Sequence, residues 1–260
     1  MTPDTAAAAV LARMYDLDLQ DDPGDLDLYL ALAARVDGPI LELAAGSGRL
    51  AVPLALAGHM VTAVDLDPEM LARAADAAAE AGLEPDALRL VEADLVDLRL
   101  PGAGTYGLGF IALNSIMLLA SRDAQRAAFR TLAAHLAPGG IAVVDAWLPD
   151  AEDLARFDGR IFLEWVRADP DRGELVTKSG SAQHDAATAT VELTSFFEVG
   201  AQGEPPRRWV RRDRLRLVGA DELAGFATDA GLRIETIAGG YDLAPLAAGS
   251  DRVVIVATRD

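Results

Sequence analysis

The sequence predicts an α/β protein built on a doubly wound, mostly parallel sheet, and three observations predict this class. Short apolar runs alternate with amphipathic helical segments of about ten to fifteen residues through residues 37–148. Two glycines, Gly46 and Gly48, directly follow the first apolar run. Such alternation produces right-handed βαβ units, whose parallel sheet is covered by helices on both faces. With two further apolar runs near the C-terminus, we expect a seven-stranded sheet.

The N-terminal segment, residues 1–36, is predicted to be a helical cap. Residues 6–15 and 26–35 carry the apolar spacing of helices, and the acidic turn Asp21-Asp22-Pro23-Gly24 separates them. No basic region precedes the first apolar run, so we expect neither a secretory signal nor a transit peptide.

The α/β core is predicted to cover residues 37–148. Its strands are expected at residues 39–43, 60–64, 88–91, 106–113 and 141–145, and its helices at residues 49–57, 68–81 and 123–136. The third of these helical segments is followed by Pro138-Gly139-Gly140. Asp67 is a natural N-cap for the second helix, because Pro68 and Glu69 suit a first helical turn.

The pattern changes after Trp147. Runs with polar alternation at residues 162–168, 174–181, 188–199 and 207–217 predict strands of an antiparallel insertion after the fifth strand, over residues 149–218. We expect this insertion to cover the acceptor site. Residues 219–260 then contain a helix, at residues 221–230, and the two strands, at residues 233–237 and 252–258, that complete the sheet.

Composition excludes several classes of function. The chain has 260 residues, 41 of them acidic and 23 basic, so its net charge of −18 repels phosphate backbones. The arginines of residues 207–216 are either a solvated strand pair or a local basic groove, and Asp213 interrupts them. The chain has no cysteine and only three scattered histidines, so we expect no metal. No apolar stretch is long enough for a membrane helix, and we expect a cytoplasmic protein without nucleic-acid or membrane partners.

The glycine turn after the first strand predicts a site for an adenosine-containing ligand. Gly46 and Gly48 stand between a strand and a helix, where a backbone without Cβ atoms can approach a ligand closely. Asp65 ends the second strand, where a carboxylate accepts hydrogen bonds from ribose hydroxyls, although it could also be an ordinary loop aspartate. A dinucleotide site fits this pattern too.

Glu42 distinguishes these alternatives, because it lies inside the first predicted strand. A dinucleotide enzyme normally has an apolar residue there, and a buried carboxylate needs a cation or a hydrogen-bond donor. Glu42 therefore argues against a nicotinamide cofactor.

Residues 39–71, PILELAAGSGRLAVPLALAGHMVTAVDLDPEML, resemble the opening of the small-molecule class I S-adenosylmethionine (SAM) dependent methyltransferases. The first motif of that family reads E/D-x-G-x-G-x-G, and here Ala44 replaces its first glycine. The resemblance continues through Glu92-Ala93-Asp94-Leu95, Leu113-Asn114-Ser115-Ile116 and His135-Leu136-Ala137-Pro138-Gly139-Gly140.

The resemblance implies SAM as the cofactor, with S-adenosylhomocysteine as product. Glu42 would lie near the methionine amino group, Asp65 would bind the ribose and Asp94 the adenine. The remaining residues that the resemblance assigns to the cofactor are Ala44, Gly46, Gly48, Leu66, Leu95 and Asn114. Leu66 and Leu95 would pack on the adenine ring, although both also suit a core, and Ala44 would slightly weaken the affinity for SAM.

Methyl transfer mainly requires alignment of the nucleophile with the methyl carbon, and a general base only when the nucleophile is protonated. His184 is the candidate base because an imidazole titrates near neutrality, although an exposed loop histidine explains it as well. Asn114 and Tyr15 are the other catalytic candidates. Four aromatic residues are candidates for contact with the acceptor: Tyr15, Tyr29, Trp147 and Tyr241. Helix packing explains Tyr29 equally well.

Asn114 lacks the prolines that follow it in enzymes that methylate nucleic-acid bases, and this favours a small-molecule acceptor. Trp147-Leu148-Pro149 resembles a feature of methyltransferases that act on amino sugars and other secondary metabolites. We therefore expect methyl transfer to a nitrogen or oxygen atom of a small molecule, by a monomer or homodimer. Two alternatives stay open: SAM-dependent chemistry without methyl transfer, such as cyclisation, and an NAD(P)-dependent oxidoreductase.

Overall fold

The structure, a computed structural model, describes residues 5–170, 172–200 and 205–260. The first four residues of the predicted cap, and residues 171 and 201–204 of the predicted insertion, lie outside this part. The helices are α1 (Thr5–Asp18), α2 (Leu26–Ala33), α3 (Ala51–Leu56), α4 (Pro68–Glu80), α5 (Arg122–His135), α6 (Ala151–Arg156) and α7 (Ala220–Asp229). Within the described chain, none of these helices combines the length and apolar character needed to cross a bilayer.

In the part of the chain that the structure describes, eleven strands form two sheets. They are β1 (Ile40–Leu43), β2 (Val61–Asp65), β3 (Leu88–Glu92), β4 (Tyr106–Ile111), β5 (Leu136–Trp147), β6 (Asp158–Ala168), β7 (Leu175–Asp185), β8 (Thr190–Gly200), β9 (Arg207–Arg216), β10 (Leu232–Ala238) and β11 (Arg252–Arg259). The larger sheet has the order β10-β11-β5-β4-β1-β2-β3, and the smaller has the order β6-β7-β8-β9.

The larger sheet confirms the predicted fold class. Strands β1 to β5 pair in parallel, whereas β11 is antiparallel to β5 and to β10. The chain runs outward from β1 to β3 on one side and continues from β4 to β5 on the other. The strand order therefore reverses between β1 and β4, and the crevice at the carboxyl ends of these two strands is where such sheets bind ligands.

The centre of this sheet is fully buried, as expected for parallel strands covered on both faces. Tyr29 of α2 packs on Phe110 of β4, with ring centroids 4.3 Å apart. Gly107 in β4 has a steric reason: a Cβ there would lie 2.2 Å from the Asp37 carbonyl oxygen. The close passage of the chain before β1 therefore requires glycine in β4.

The chain divides into two compact units. One contains α1 together with Pro149–Leu217, and the other contains Asp22–Leu148 together with Val218–Asp260. The two predicted N-terminal helices thus fall in different units, because α2 packs in the core of the larger sheet through buried residues such as Tyr29 and Leu32. The four-part division predicted from sequence differs from this arrangement at that point.

In the smaller unit, β6 to β9 form a four-stranded antiparallel sheet, and α1 packs on it. Met14 and Leu17 of α1 belong to one apolar cluster with Val176, Phe197 and Val199. Polar contacts add to this packing: Lys178 and the indole nitrogen of Trp165 both donate to Asp18. Arg13 forms a buried ion pair with Asp169.

Local signals explain most element boundaries. The Asp67 carboxylate accepts a hydrogen bond from the Glu69 amide, so the predicted N-cap of α4 is confirmed. Several boundaries differ from prediction; for example, α3 begins at Ala51, and β5 begins at Leu136 and runs through Pro138-Gly139-Gly140. Gly139 has a φ of 77°, so this segment bends within the strand.

Candidate functional site

The residues predicted to bind a cofactor follow the carboxyl ends of neighbouring parallel strands. The glycine turn follows β1, Asp65 ends β2 and Asp94 follows β3. Asn114 follows β4, and Trp147 ends β5. The larger sheet therefore brings these five positions to one edge, at and beside the point where the strand order reverses.

The turn after β1 has three residues in the left-handed region: Ala44 with a φ of 59°, Gly46 with 56° and Gly48 with 80°. At Gly48 a Cβ would lie 3.1 Å from the Ala74 Cβ, so this glycine permits α4 to pack closely against the turn. Ala44, where the resembled motif has glycine, adopts a conformation that costs an L-residue about 1–2 kcal/mol.

Asp65 holds the glycine turn from the end of β2. Its Oδ2 accepts the Gly46 amide at 2.7 Å, and its Oδ1 accepts the Asp67 amide at 2.9 Å. Asp65 is therefore an ordered part of the site, and the alternative of an ordinary loop aspartate is disfavoured. Because each carboxylate oxygen has two lone pairs, both retain capacity for a hydroxyl donor.

Glu42 is buried in β1 with 3% of its surface exposed. Among the described residues, no hydrogen-bond donor reaches its Oε2 atom. Burial raises the pKa of Glu42 to about 8, an effect that Arg49 opposes and that the charges of Asp25 and Asp65 increase. A buried oxygen of this kind fits the ammonium group of an amino-acid ligand, because such a group is both a cation and a donor.

Arg49 and Asp25 form an ion pair that sequence analysis missed. The guanidinium donates to both carboxylate oxygens of Asp25, at 2.5 and 2.7 Å, and Asp25 is fully buried. Asp25 immediately precedes α2, whereas Arg49 follows the glycine turn. The pair therefore fixes the start of α2 against the glycine turn. In the sequence, Asp25 directly follows the acidic turn of residues 21–24 and resembles a residue of a solvated loop.

Asp94 and the two leucines lie at the surface of this edge. Asp94 is exposed, and its Oδ1 accepts the Val96 amide at 2.9 Å. Leu66 has 67% of its surface exposed, so the alternative of a core leucine is wrong there, whereas Leu95 is half-buried. An exposed leucine after β2 and a partly exposed one after β3 suit an apolar ring, such as adenine, in contact with both.

A second group of residues surrounds Asp145, near the end of β5. Asp145 is fully buried, and its Oδ1 accepts the Leu113 amide at 2.8 Å and the Tyr29 hydroxyl at 3.4 Å. Its Oδ2 accepts Arg252 at 2.7 Å and the Tyr241 hydroxyl at 3.1 Å. Burial raises the pKa of Asp145 above its usual value, and Arg252 opposes that effect.

Tyr29 joins the two groups. Burial raises the pKa of its hydroxyl well above the usual range, and the charges of Asp145, Asp25 and Glu42 add to this effect. The hydroxyl is therefore neutral and donates a hydrogen bond to Asp145. Three of the predicted acceptor-contacting residues lie in the unit that contains the larger sheet: Tyr29, Trp147 and Tyr241. In the same unit, Asn114 Oδ1 accepts a hydrogen bond from the Trp147 amide at 2.6 Å.

Tyr15 and His184 belong to the other unit. Tyr15 is half-buried on α1. His184 is half-buried on β7, where its amide donates to the Phe157 carbonyl, so the alternative of an exposed loop histidine is wrong. The catalytic roles of both residues stay predictions.

The arginines of β9 are mostly paired with acidic residues. The pairs are Arg207 with Glu174, Arg208 with Glu198, Arg211 with Asp213, and Arg214 with Glu192. This pairing favours a solvated strand over a basic groove. Across the described positions, no cluster of three or more histidine, aspartate or glutamate side chains has a geometry suited to a metal ion.

Comparison with known proteins identifies the type of domain. Residues 40–140 match the family model described as a methyltransferase domain. Uncharacterized proteins of Mycobacterium tuberculosis and Mycobacterium bovis are 58% identical over 45 residues, so the match spans 16% of those proteins and 17% of this chain. The cypemycin N-terminal methyltransferase of a Streptomyces species is 28% identical over 85% of this chain and 82% of its own.

Solved structures share the fold over nearly the whole chain. The CcbJ methyltransferase from Streptomyces caelestis has a TM-score of 0.77 and 26% identity, over 94% of this chain and 98% of that one. The sugar N-methyltransferase KedS8 from a Streptoalloteichus species has a TM-score of 0.69 and 22% identity, over 94% of this chain and 92% of that one.

Proposed function

We propose that this chain, whose residues 40–140 match a methyltransferase domain, is a class I SAM-dependent methyltransferase that transfers a methyl group from SAM to a nitrogen or oxygen atom of a small molecule. Nitrogen is favoured, because two of its relatives are named as N-terminal and sugar N-methyltransferases. Trp147-Leu148-Pro149, which resembles a feature of amino-sugar methyltransferases, supports an amine-bearing sugar or related metabolite as the acceptor.

The buried carboxyl of Glu42 supports this proposal most directly. Its free oxygen fits the ammonium group of the methionine part of SAM, a group that nicotinamide dinucleotides lack. Asp65 would accept the ribose hydroxyls and Asp94 the adenine amino group. Leu66 and Leu95 would contact the two faces or edges of the ring.

Bound SAM supplies an electrophilic methyl group on a sulfonium, a good leaving group. The residues of this chain then have to hold the acceptor in line and exclude water. Asn114 and Tyr241 are the positions we assign to acceptor orientation, since both lie after strands at the same sheet edge. An amine acceptor attacks as the free base, so loss of its proton to water precedes transfer.

The test is a turnover assay with SAM and a panel of amino sugars, matched with their hydroxyl analogues. Formation of S-adenosylhomocysteine, together with a product heavier by one methyl group, is the expected result with an amine. An Asp65→Ala variant should lose most of this activity at subsaturating SAM. Asp86→Ala, at an exposed position before β3 and hence at the opposite sheet edge, should retain it.

SAM binding without turnover on any acceptor of either class would instead indicate the fold's non-methylating chemistry. Binding of NADH without SAM would indicate an oxidoreductase.

A further inference from the structure

Asp145 is a fully buried carboxylate that none of the roles proposed for the cofactor uses. It lies two residues before Trp147, which ends β5, and it accepts hydrogen bonds from four donors. Two of these donors, the Leu113 amide and the Tyr29 hydroxyl, face Oδ1. The other two, Arg252 and the Tyr241 hydroxyl, face Oδ2.

The first consequence of this arrangement concerns the turn after β4. Leu113 and Asn114 are consecutive non-glycine residues with φ values of 50° and 66°. This left-handed backbone conformation is unfavourable for residues with a side chain. It is found where surrounding contacts hold the backbone in place. Here the Leu113 amide is bound by Asp145, and Asn114 Oδ1 is bound by the Trp147 amide at 2.6 Å. The end of β5 therefore holds the turn through two hydrogen bonds.

The second consequence concerns Tyr241, which lies between β10 and β11. Its hydroxyl donates to Asp145 and accepts a hydrogen bond from Arg252 at 2.6 Å, and the Arg252 guanidinium lies 4.4 Å from the centre of its ring. Tyr241 is only half-buried. The ion pair between Arg252 and Asp145 thus fixes one side of the Tyr241 ring, and another part of the ring faces solvent.

We propose that Asp145 is a positioning residue for methyl transfer, which fixes the Leu113–Asn114 turn and the hydroxyl groups of Tyr29 and Tyr241 in one arrangement beside the cofactor site. The proposal rests on the proposed function, since it assigns Asp145 an effect on the transfer step. Asp145 acts through its neighbours and touches neither cofactor nor acceptor.

The chemistry of the four donors requires a carboxylate at this position. Both oxygens face donors only, and one of these donors carries a positive charge. An asparagine has the same shape, but its amide nitrogen would oppose either Leu113 and Tyr29 or Arg252 and Tyr241. Asp145→Asn should therefore break the hydrogen bonds to one of these two pairs of donors. The contacts of Glu42, Asp65 and Arg49 should stay intact.

The experiment measures kcat, the acceptor KM and the Kd for SAM in the wild type, Asp145→Asn and Asp169→Asn. Asp169 is the matched control, because it is a buried aspartate in an ion pair with Arg13 in the other unit. We expect Asp145→Asn to lower kcat by about tenfold or more, with the Kd for SAM changed by less than about threefold. Asp169→Asn should lower thermal stability but keep kcat in the molecules that remain folded.

A second variant covers the case in which Asp145→Asn does not fold. Tyr241→Phe removes the hydroxyl that donates to Asp145 and accepts from Arg252, and it should lower kcat by about threefold to tenfold without changing SAM binding. If both variants fold, the double variant should lose less activity than the product of the single losses, because the two side chains act together.

Unchanged kcat in folded Asp145→Asn, or a Kd for SAM that rises as much as kcat falls, would overturn the proposal. Where Asp145→Asn does not fold, unchanged kcat in Tyr241→Phe would do the same. Absence of turnover in the wild type is a different result, because it refutes the proposed function itself.

Discussion

Glu42 is the residue whose ionisation affects stability and, under the proposed function, cofactor binding. Its pKa in the folded protein is about 8, above the usual value of 4.5. The folded state therefore keeps a proton that the unfolded chain loses, and the stability contributed by this group falls as pH rises from about 4.5 to 8. The fall is at most roughly 1.4 kcal/mol per pH unit.

We expect Glu42→Gln to remove this dependence, because glutamine imitates the protonated carboxyl. In urea unfolding, the free energy of unfolding of Glu42→Gln relative to that of the wild type should be about 1–3 kcal/mol higher at pH 8 than at pH 5. Glu80→Gln, at an exposed position on α4, controls for the change in net charge. Equal pH dependence of the wild type and Glu42→Gln would show that Glu42 is already ionised in the fold.

The strained turn at Ala44 gives a second test at this scale. Ala44→Gly should stabilise the protein by about 0.5–1 kcal/mol, the relief of a left-handed alanine reduced by the greater chain entropy of glycine. It should also tighten SAM binding, because the backbone can approach the ligand more closely.

Ala189 is the matched control, since it has a φ of 52° in the hairpin between β7 and β8. Ala189→Gly should stabilise the protein to a similar extent in urea unfolding but leave SAM affinity unchanged. An equal change in SAM affinity in Ala44→Gly and Ala189→Gly would show that the turn at Ala44 has no specific effect on cofactor binding.

At the scale of elements, α1 depends on charged contacts with the smaller sheet. Asp18 accepts hydrogen bonds from Lys178 and Trp165, while Lys178 also pairs with Glu164 at 2.8 Å. Asp18→Ala should therefore cost about 1–3 kcal/mol without leaving Lys178 unpaired. Amide hydrogen exchange in α1 should become faster.

Glu192→Ala removes a solvent-exposed ion pair from the same sheet and should change stability by less than about 1 kcal/mol. If hydrogen exchange in α1 is unchanged in Asp18→Ala, or equally fast in Asp18→Ala and Glu192→Ala, Asp18 does not contribute to holding the helix. The apolar contacts of Met14 and Leu17 would then hold it alone.

Most elements could be predicted because their signals are local. The strands of both sheets appeared as apolar or alternating runs, and α4 had its N-cap at Asp67. The helix α6 could not be predicted from apolar periodicity, because it has six residues and buries none of them. Asp150 and Asp153 form a capping box for it, a signal that was present in the sequence.

The candidate site was predicted only in part, for a related reason. Glu42 and Asp65 could be found because a charged residue in or after an apolar strand is informative by itself. Asp145 carries the same signal, an acid inside the run of residues 141–147, and could have been found by the same argument. Asp25, Arg49 and Arg252 could not, because their partners are distant in the sequence and only the folded chain brings them together.

At the scale of the whole molecule, charge and topology agree with a small-molecule site. The net charge is −18, and four arginines of β9 are already paired with carboxylates. Such a molecule gains little from a polyanionic partner. The polar groups at the strand-order reversal, by contrast, include carboxylates that match a cationic amino-acid ligand bearing ribose hydroxyls.

Isothermal titration with SAM, S-adenosylhomocysteine and NADH, on the wild type and Asp65→Ala, tests this account most directly. We predict micromolar binding of the two sulfur compounds, weakened about tenfold or more in Asp65→Ala, as expected for hydrogen bonds to a carboxylate worth about 1.5–3 kcal/mol. NADH should not bind. Absence of binding by both sulfur compounds, or equal affinity in Asp65→Ala, would contradict the assignment of the glycine turn and Asp65 to SAM.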